Sequence, residues 1–193
     1  WPEINSIILG DLHLGKTAHF RRQGIPIPTD VMRHDLIKLQ QTLELFSADR
    51  LIVVGDMFHH QYNSDIEIFL AWRSTLPYLM IDLIAGNHDL HIYKELHSTG
   101  IDSIQDVLII NDLALRHDWE SASPVEFCIS AHLHPGYLLR GKTGLHVRSA
   151  CYLLNEKHLI LPAFSDFTGL FTGYNKELYD IYLATGKEVI QVK

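Results

Sequence analysis

Five short blocks of this 193-residue sequence carry side chains able to bind metal ions or move protons. They are Gly10-Asp11-Leu12-His13, Gly55-Asp56-Met57-Phe58-His59, Gly86-Asn87-His88-Asp89, His117 and His132-Leu133-His134. Histidine is the commonest metal ligand and the usual proton carrier near neutral pH, and the chain holds 13 of them. Carboxylates mixed with imidazoles, without thiolates, suit Mn²⁺, Zn²⁺ or Fe rather than Ca²⁺ or Mg²⁺. The donors Asp11, His13, Asp56, Asn87, His117, His132 and His134 are more than one ion takes while keeping positions open for a reactant. Two ions about 3.5–4 Å apart, bridged by one carboxylate, are the economical arrangement. Taken singly, an Asp-x-His or a Gly-Asn-His-Asp is an ordinary turn; five such blocks in order, each after a strand, are not.

Those strands follow from hydrophobic patterning. Ile4–Leu9, Leu51–Val54 and Tyr78–Ala85 are short apolar runs, the pattern of buried strands, and each leads into one of the first three blocks. Between the first two, Thr29 is placed to cap a helix with Asp30 in its first turn. Met32, Leu36, Leu39, Leu43 and Phe46 then recur at three- and four-residue steps to about Ser47. Asn63 or Ser64 caps a second helix carrying Ile66, Phe69, Arg73 and Leu76 along one side. Strand–loop–helix repetition predicts right-handed crossovers and a parallel sheet. Past residue 105 short strands dominate: 107–110, 113–116, 125–131, 145–154, 159–161 and 180–183, with hairpin turns at Asn111-Asp112, Asn155–Lys157 and Thr185-Gly186. The expectation is one α/β domain over residues 1–193, with two packed mixed sheets flanked by helices. Ligands in open α/β sheets bind beyond the carboxyl ends of strands, so the five blocks should converge. Within a block, Asp11 and His13, like His132 and His134, are two apart and so expected to project to one side.

Composition narrows the function classes. With 16 Lys+Arg against 23 Asp+Glu the net charge is −7, which argues against a broad DNA-coating face. Two cysteines, Cys128 and Cys151, exclude a disulfide framework and a thiolate zinc site and fit a reducing, cytoplasmic setting. No apolar run approaches the roughly 18 residues of a membrane span.

In order and spacing, the blocks resemble the calcineurin-like metallophosphoesterase superfamily across residues 11–134. A finer resemblance, to the DNA ligase-associated phosphoesterases of bacteria and archaea, rests on Asp11-Leu12-His13-Leu14-Gly15-Lys16, His19-Phe20-Arg21, Gly24-Ile25-Pro26, His132-Leu133-His134-Pro135-Gly136 and Leu161-Pro162-Ala163-Phe164. Two positions depart from the superfamily pattern: Arg116 precedes His117 and Ala131 precedes His132, where glycine is usual. The resemblance implies an α/β/β/α sandwich and two divalent ions, Mn²⁺ the usual activator, with Zn²⁺, Fe or Ni²⁺ also compatible. It implies that Asp11, His13, Asp56 and His134 hold one ion and Asp56, Asn87, His117 and His132 the other. It also implies a functional link to an ATP-dependent DNA ligase and a helicase.

The chemistry expected of such a centre is phosphodiester hydrolysis, in which paired dications neutralise phosphoryl oxygens and bring the pKa of a water to about 7. His88, beside Asn87 and assigned to neither ion, is the candidate general acid for the leaving oxygen. Asp89 is expected to accept a hydrogen bond from the His88 imidazole and fix its orientation, and His59 to support the ligands rather than join them. Lys16, Arg21 and Arg22, with His19, read as a basic loop, and Arg140, Lys142 and Arg148 follow the last block; both groups are candidates for phosphates of DNA, as a single strand or an end. Phe20 and Tyr137 are candidates for stacking on bases. Two other readings share these residues: a phosphatase or diesterase for nucleotides and other small esters, and a silent protein-binding scaffold of the kind represented by a retromer subunit. The first differs only at the rim of the site. The second should have lost ligands or His88, and this chain has them all.

Overall fold

The computed structural model describes residues 1–28, 30–59, 64–89, 96, 99–118, 125–141 and 144–192, without the side chains of Arg22, Ser64 and Asp65. Its first sheet has the order β1 (Ser6–Leu9), β2 (Arg50–Val54), β3 (Met80–Ile84), β4 (Ser103–Gln105), with every pairing parallel. A central parallel strand is covered on both faces, and β2 shows it. Leu51 and Val53 pack toward the helices, Ile52 and Val54 toward the second sheet, and all four are fully buried.

Helix α1 spans Lys16–Arg22, α2 Val31–Phe46 and α3 Ser64–Ser74. In α2 the residues Met32, Leu36, Leu39 and Leu43 form the predicted stripe against β2 and β3, and Ile66, Phe69 and Trp72 of α3 join the same core. Asp30 is the N-cap of α2, one residue later than expected; Thr29 lies outside the described residues, as does Asn63. Ser47 ends the helix in the left-handed conformation, its amide returning to the Glu44 and Leu43 carbonyls.

The second sheet comprises β5 (Val107–Ile110), β6 (Leu113–Arg116), β7 (Phe127–Ser130), β8 (Gly136–Arg140), β9 (His146–Leu154), β10 (His158–Ile160), β11 (Asp180–Ala184) and β12 (Val189–Val192). Its order is β12-β11-β9-β10-β7-β6-β5, with β8 paired to β9. It is mixed: β7 runs parallel to β6 and β10, the other pairs antiparallel. All three predicted hairpin turns join antiparallel neighbours. Ile52, Val54 and Ile84 of the first sheet meet Leu115, Ile129 and Leu161 of the second in one core. On its outer face, Cys151, Leu153, Ile160, Ile181 and Leu183 are covered by Tyr174 and Tyr179; the described helices α2 and α3 both lie on the first sheet's side. The two-sheet sandwich is thus as expected.

The β4, β8 and β12 strands are additions to the sequence-based reading, and several strands are a residue or more shorter than expected. The segment read as a basic loop after the first block is instead α1. No described helix is long and apolar enough to cross a membrane.

Candidate metal centre

Each predicted block follows a strand at the same end of the sandwich: β1 leads to Asp11 and His13, β2 to Asp56, β3 to Asn87 and His88, β6 to His117, and β7 to His132 and His134. The donors gather in two groups, Asp11–His13–His134 and Asp56–His117–His132, whose ligand atoms lie within 4.8 Å of one another in each. In the first, His13 Nε2 lies 3.3 Å from His134 Nε2, and His134 Nε2 lies 3.2 Å from Asp11 Oδ1. In the second, His117 Nε2 lies 3.0 Å from His132 Nδ1 and 3.4 Å from Asp56 Oδ2. The groups are joined. The His132 amide donates to Asp11 Oδ2 at 3.1 Å, and the His13 amide to the Asp56 carbonyl at 2.8 Å.

Backbone conformation brings these side chains together, and no sequence signal announces it. Asp11, His13, Asp56, His132 and His134 all have φ between 47° and 67°. A non-glycine residue rarely adopts this left-handed region, and such strain concentrates at functional sites. The expectation that Asp11 and His13 continue the strand alternation is therefore corrected: β1 ends at Leu9, and the chain turns sharply at both donors. Two glycines make room. A Cβ at Gly55 would collide with the His117 ring, and one at Gly86 with the Asp56 carboxylate. Ala131, the departure from the family pattern, is fully buried and is the nearest neighbour a Cβ on Gly10 would meet, so a small residue suffices there.

The electrostatics favour a cation. Asp11 Oδ1 is buried with no hydrogen-bond partner among the described residues, yet it points where imidazole nitrogens converge, which is the donor set a divalent ion takes. Burial, then the nearby Lys16, pushes His13 down to about 2, so its ring is neutral and its lone pair available. Burial also lowers His117 somewhat, but the hydrogen bond and charge of Asp56 outweigh it and hold His117 above its usual value. Asp56 is the mirror case: burial opposes its ionisation, and His117 together with the His88 amide (2.9 Å to Oδ1) keeps it below the usual carboxylate range. These residues fit a pair of divalent ions. Asp11, His13 and His134 would hold one, and Asp56, His117 and His132 the other.

Asn87 is exposed and lies in the chain between Gly86, which abuts Asp56, and His88, whose amide donates to Asp56. His88 Nδ1 lies 3.2 Å from the His59 carbonyl, and its ring packs at 4.5 Å from His59 and 5.4 Å from His13. His13, His59 and His88 together form a third group of potential donors. Asp89 departs from expectation. It is fully buried and accepts from the Phe58, Met57 and Gly86 amides at 3.0, 3.3 and 2.9 Å. It therefore fastens the β2 block to the β3 block and leaves the orientation of His88 to the His59 carbonyl. Burial raises its carboxyl to about 7 despite those three amides.

The predicted substrate contacts separate. Lys16 is half-buried within the field of Asp11 and Asp56, and burial lowers its pKa. Arg21 Nη1 donates to the Pro28 carbonyl at 3.1 Å, on α1. Arg22 has no described side chain, and Lys142 lies outside the described residues. Arg140 ends β8. Phe20 lies edge-on to Phe167 and stacked at 6.4 Å from His59, while the Lys176 ammonium covers Tyr137.

A nuclease termed MPE from Pseudomonas putida superposes on the whole chain and on 90% of its own length, with a TM-score of 0.82 and 26% identity. The chain has the calcineurin-like metallophosphoesterase fold. The phosphoesterase YfcE of E. coli shares the fold at a TM-score of 0.52, with 14% identity over 97% of each chain. No protein-family model matches the sequence, and no curated protein does.

Proposed function

We propose that this metallophosphoesterase is a Mn²⁺-dependent phosphodiesterase that cleaves DNA during repair, in functional association with a ligase and a helicase. The observation that carries the reading is the convergence of Asp11, His13, Asp56, His117, His132 and His134 into two joined groups with His88 beside them. Support for a nucleic-acid substrate comes from the likeness to a bacterial nuclease along the entire chain, and for the ligase link from the motifs shared with the ligase-associated branch. Bound in the two groups, with Asp56 shared and Asn87 completing the second, divalent ions would supply Lewis acidity toward phosphoryl oxygens and a water acidified to a pKa of about 7.

The chain's own residues supply the rest. His88 Nδ1–H donates to the His59 carbonyl, which leaves Nε2 as the atom that carries the proton to the leaving oxygen. The His59 ring, packed at 4.5 Å, limits the tilt of His88. Lys16 adds positive potential beside the reacting phosphate. Neutral His13 and its contacts keep the floor of the site closed to bulk water.

Parallel assays with Mn²⁺ test this: a single-stranded oligonucleotide and bis-p-nitrophenyl phosphate, each with the wild type and His88→Ala. The reading expects both substrates to be cleaved and His88→Ala to lose most of the rate while retaining metal. Cleavage of the small diester alone would replace DNA by a small phosphate ester. An inert wild type with full metal occupancy would favour a scaffold.

A further inference from the structure

The β8 and β9 strands continue beyond the level of the ligand-bearing strand ends as a two-stranded ribbon. In the second sheet, Ser130 of β7 pairs with Ile160 of β10, and Ile160 with Leu153 of β9; residues 146–150 of β9 lie past that level and pair with β8 alone. Residues opposed across a ladder share a face. Tyr137 opposes Ser149 and Leu139 opposes Val147, on the outer side with Cys151. Leu138 opposes Arg148 and Arg140 opposes His146, on the inner side with Ala150 and Tyr152. Ala150 and Tyr152 line the cavity of about 510 Å³ between β1 and the second sheet, so the inner face of the ribbon turns toward the side on which the β1 donors lie.

That face is cationic in an otherwise acidic chain. Arg140, His146 and Arg148 are exposed, and among the described residues neither guanidinium has a hydrogen bond or ion pair. Diagonal neighbours on one face of a ladder stand about 7–8 Å apart, close to the step between successive phosphates of an extended strand. The extended β8 strand carries Arg140 about 13 Å beyond Gly136, four steps of about 3.3 Å directed away from the ligand-bearing strand ends. A small phosphate ester at the metal centre cannot span this distance; a polymer can.

We propose that the inner face of the β8–β9 ribbon binds the sugar–phosphate backbone of a nucleic-acid strand whose cleaved bond lies at the metal centre, Arg140 and Arg148 each meeting a phosphate. This rests on the phosphodiesterase reading of the site and deepens it. Guanidinium groups grip phosphates in bidentate fashion without reading bases, so the ribbon sets position and strand length and leaves sequence unread.

The test measures binding apart from cleavage. In the His88→Ala background, anisotropy of a labelled single-stranded oligonucleotide is followed against salt, with and without Arg140→Glu plus Arg148→Glu; Arg140→Gln plus Arg148→Gln serves as a gentler second pair. Losing two phosphate contacts should weaken binding tenfold or more at low salt. It should also flatten the slope of log affinity against log salt by about 1.4, two contacts at about 0.7 each. The arginine pairs, made in the wild-type background, should hydrolyse bis-p-nitrophenyl phosphate at the wild-type rate. Unchanged affinity and slope would overturn the proposal, as would an equal loss on the small diester. If the wild type cleaves neither substrate, the phosphodiesterase reading fails while the binding curves still decide the ribbon.

Discussion

The Asp11–His13–His134 and Asp56–His117–His132 groups use the same donor chemistry in different surroundings. In the first, Asp11 and His13 are buried, His134 is half-buried, and burial together with Lys16 strips His13 of its proton. In the second, His132 is exposed, and Asp56 draws a proton onto His117. His13 in the first group thus offers a neutral nitrogen, whereas His117 in the second holds its proton more firmly and must give it up to take a cation. A dinuclear site need not have two equivalent halves. A rigid buried half can fix the geometry while an open half, next to His88, admits substrate and responds to pH.

Removing Asp56, the carboxylate proposed to serve both ions, should do most. Asp56→Ala is expected to abolish metal binding in the second group and weaken it in the first, with activity falling by about three orders of magnitude or more, the several kcal/mol that Lewis-acid stabilisation supplies. Metal analysis and steady-state rates check this together. His88→Ala should leave metal content unchanged and lower the rate roughly 10²–10⁴-fold, the range of a general acid; loss of metal with the rate would make His88 a ligand instead.

Asp89 tests the tie between the blocks. Its removal in Asp89→Ala orphans the buried amides of Met57, Phe58 and Gly86. A stability loss of about 3 kcal/mol or more follows, at about 1–3 kcal/mol for each unsatisfied group, and chemical denaturation measures it. Asp89→Asn keeps one acceptor oxygen and should fall between. A subtler contrast separates the halves. Because the His117 pKa is raised, its ion pair with Asp56 stabilises the metal-free fold fully below pH 6.5, and that contribution fades as pH rises through the raised value. A dication competes with that proton, so the rise in Tm produced by Mn²⁺ should be larger at pH 8 than at pH 6. His117→Ala should flatten that difference, and a His13→Ala variant should keep it.

Much of this was legible in the sequence. The apolar runs before each Gly-Asp or Gly-Asn, and the heptad-like stripe of Met32 to Leu43, placed the first sheet and α2 because burial on one or both faces leaves a periodic trace. The donors were legible because their types are chemically narrow. Left-handed conformations at Asp11, His13, Asp56, His132 and His134 were not, since tertiary packing imposes them against local preference. Helix α1 was missed because Gly15 gives it no side-chain cap and it has seven residues. β4, Ser103–Gln105, is too short at three residues to leave a periodic trace. Asp89 was misread because adjacency to His88 suggested a partner, whereas its oxygens turn inward to amides 31 and 32 residues away.

The proposed chemistry requires two dications that share Asp56. A crystal grown with Mn²⁺ and measured at the manganese absorption edge tests it most directly. Two anomalous peaks should flank the Asp56 carboxylate, one beside Asp11, His13 and His134, the other beside His117 and His132. No peak, or a single one away from Asp56, would contradict it.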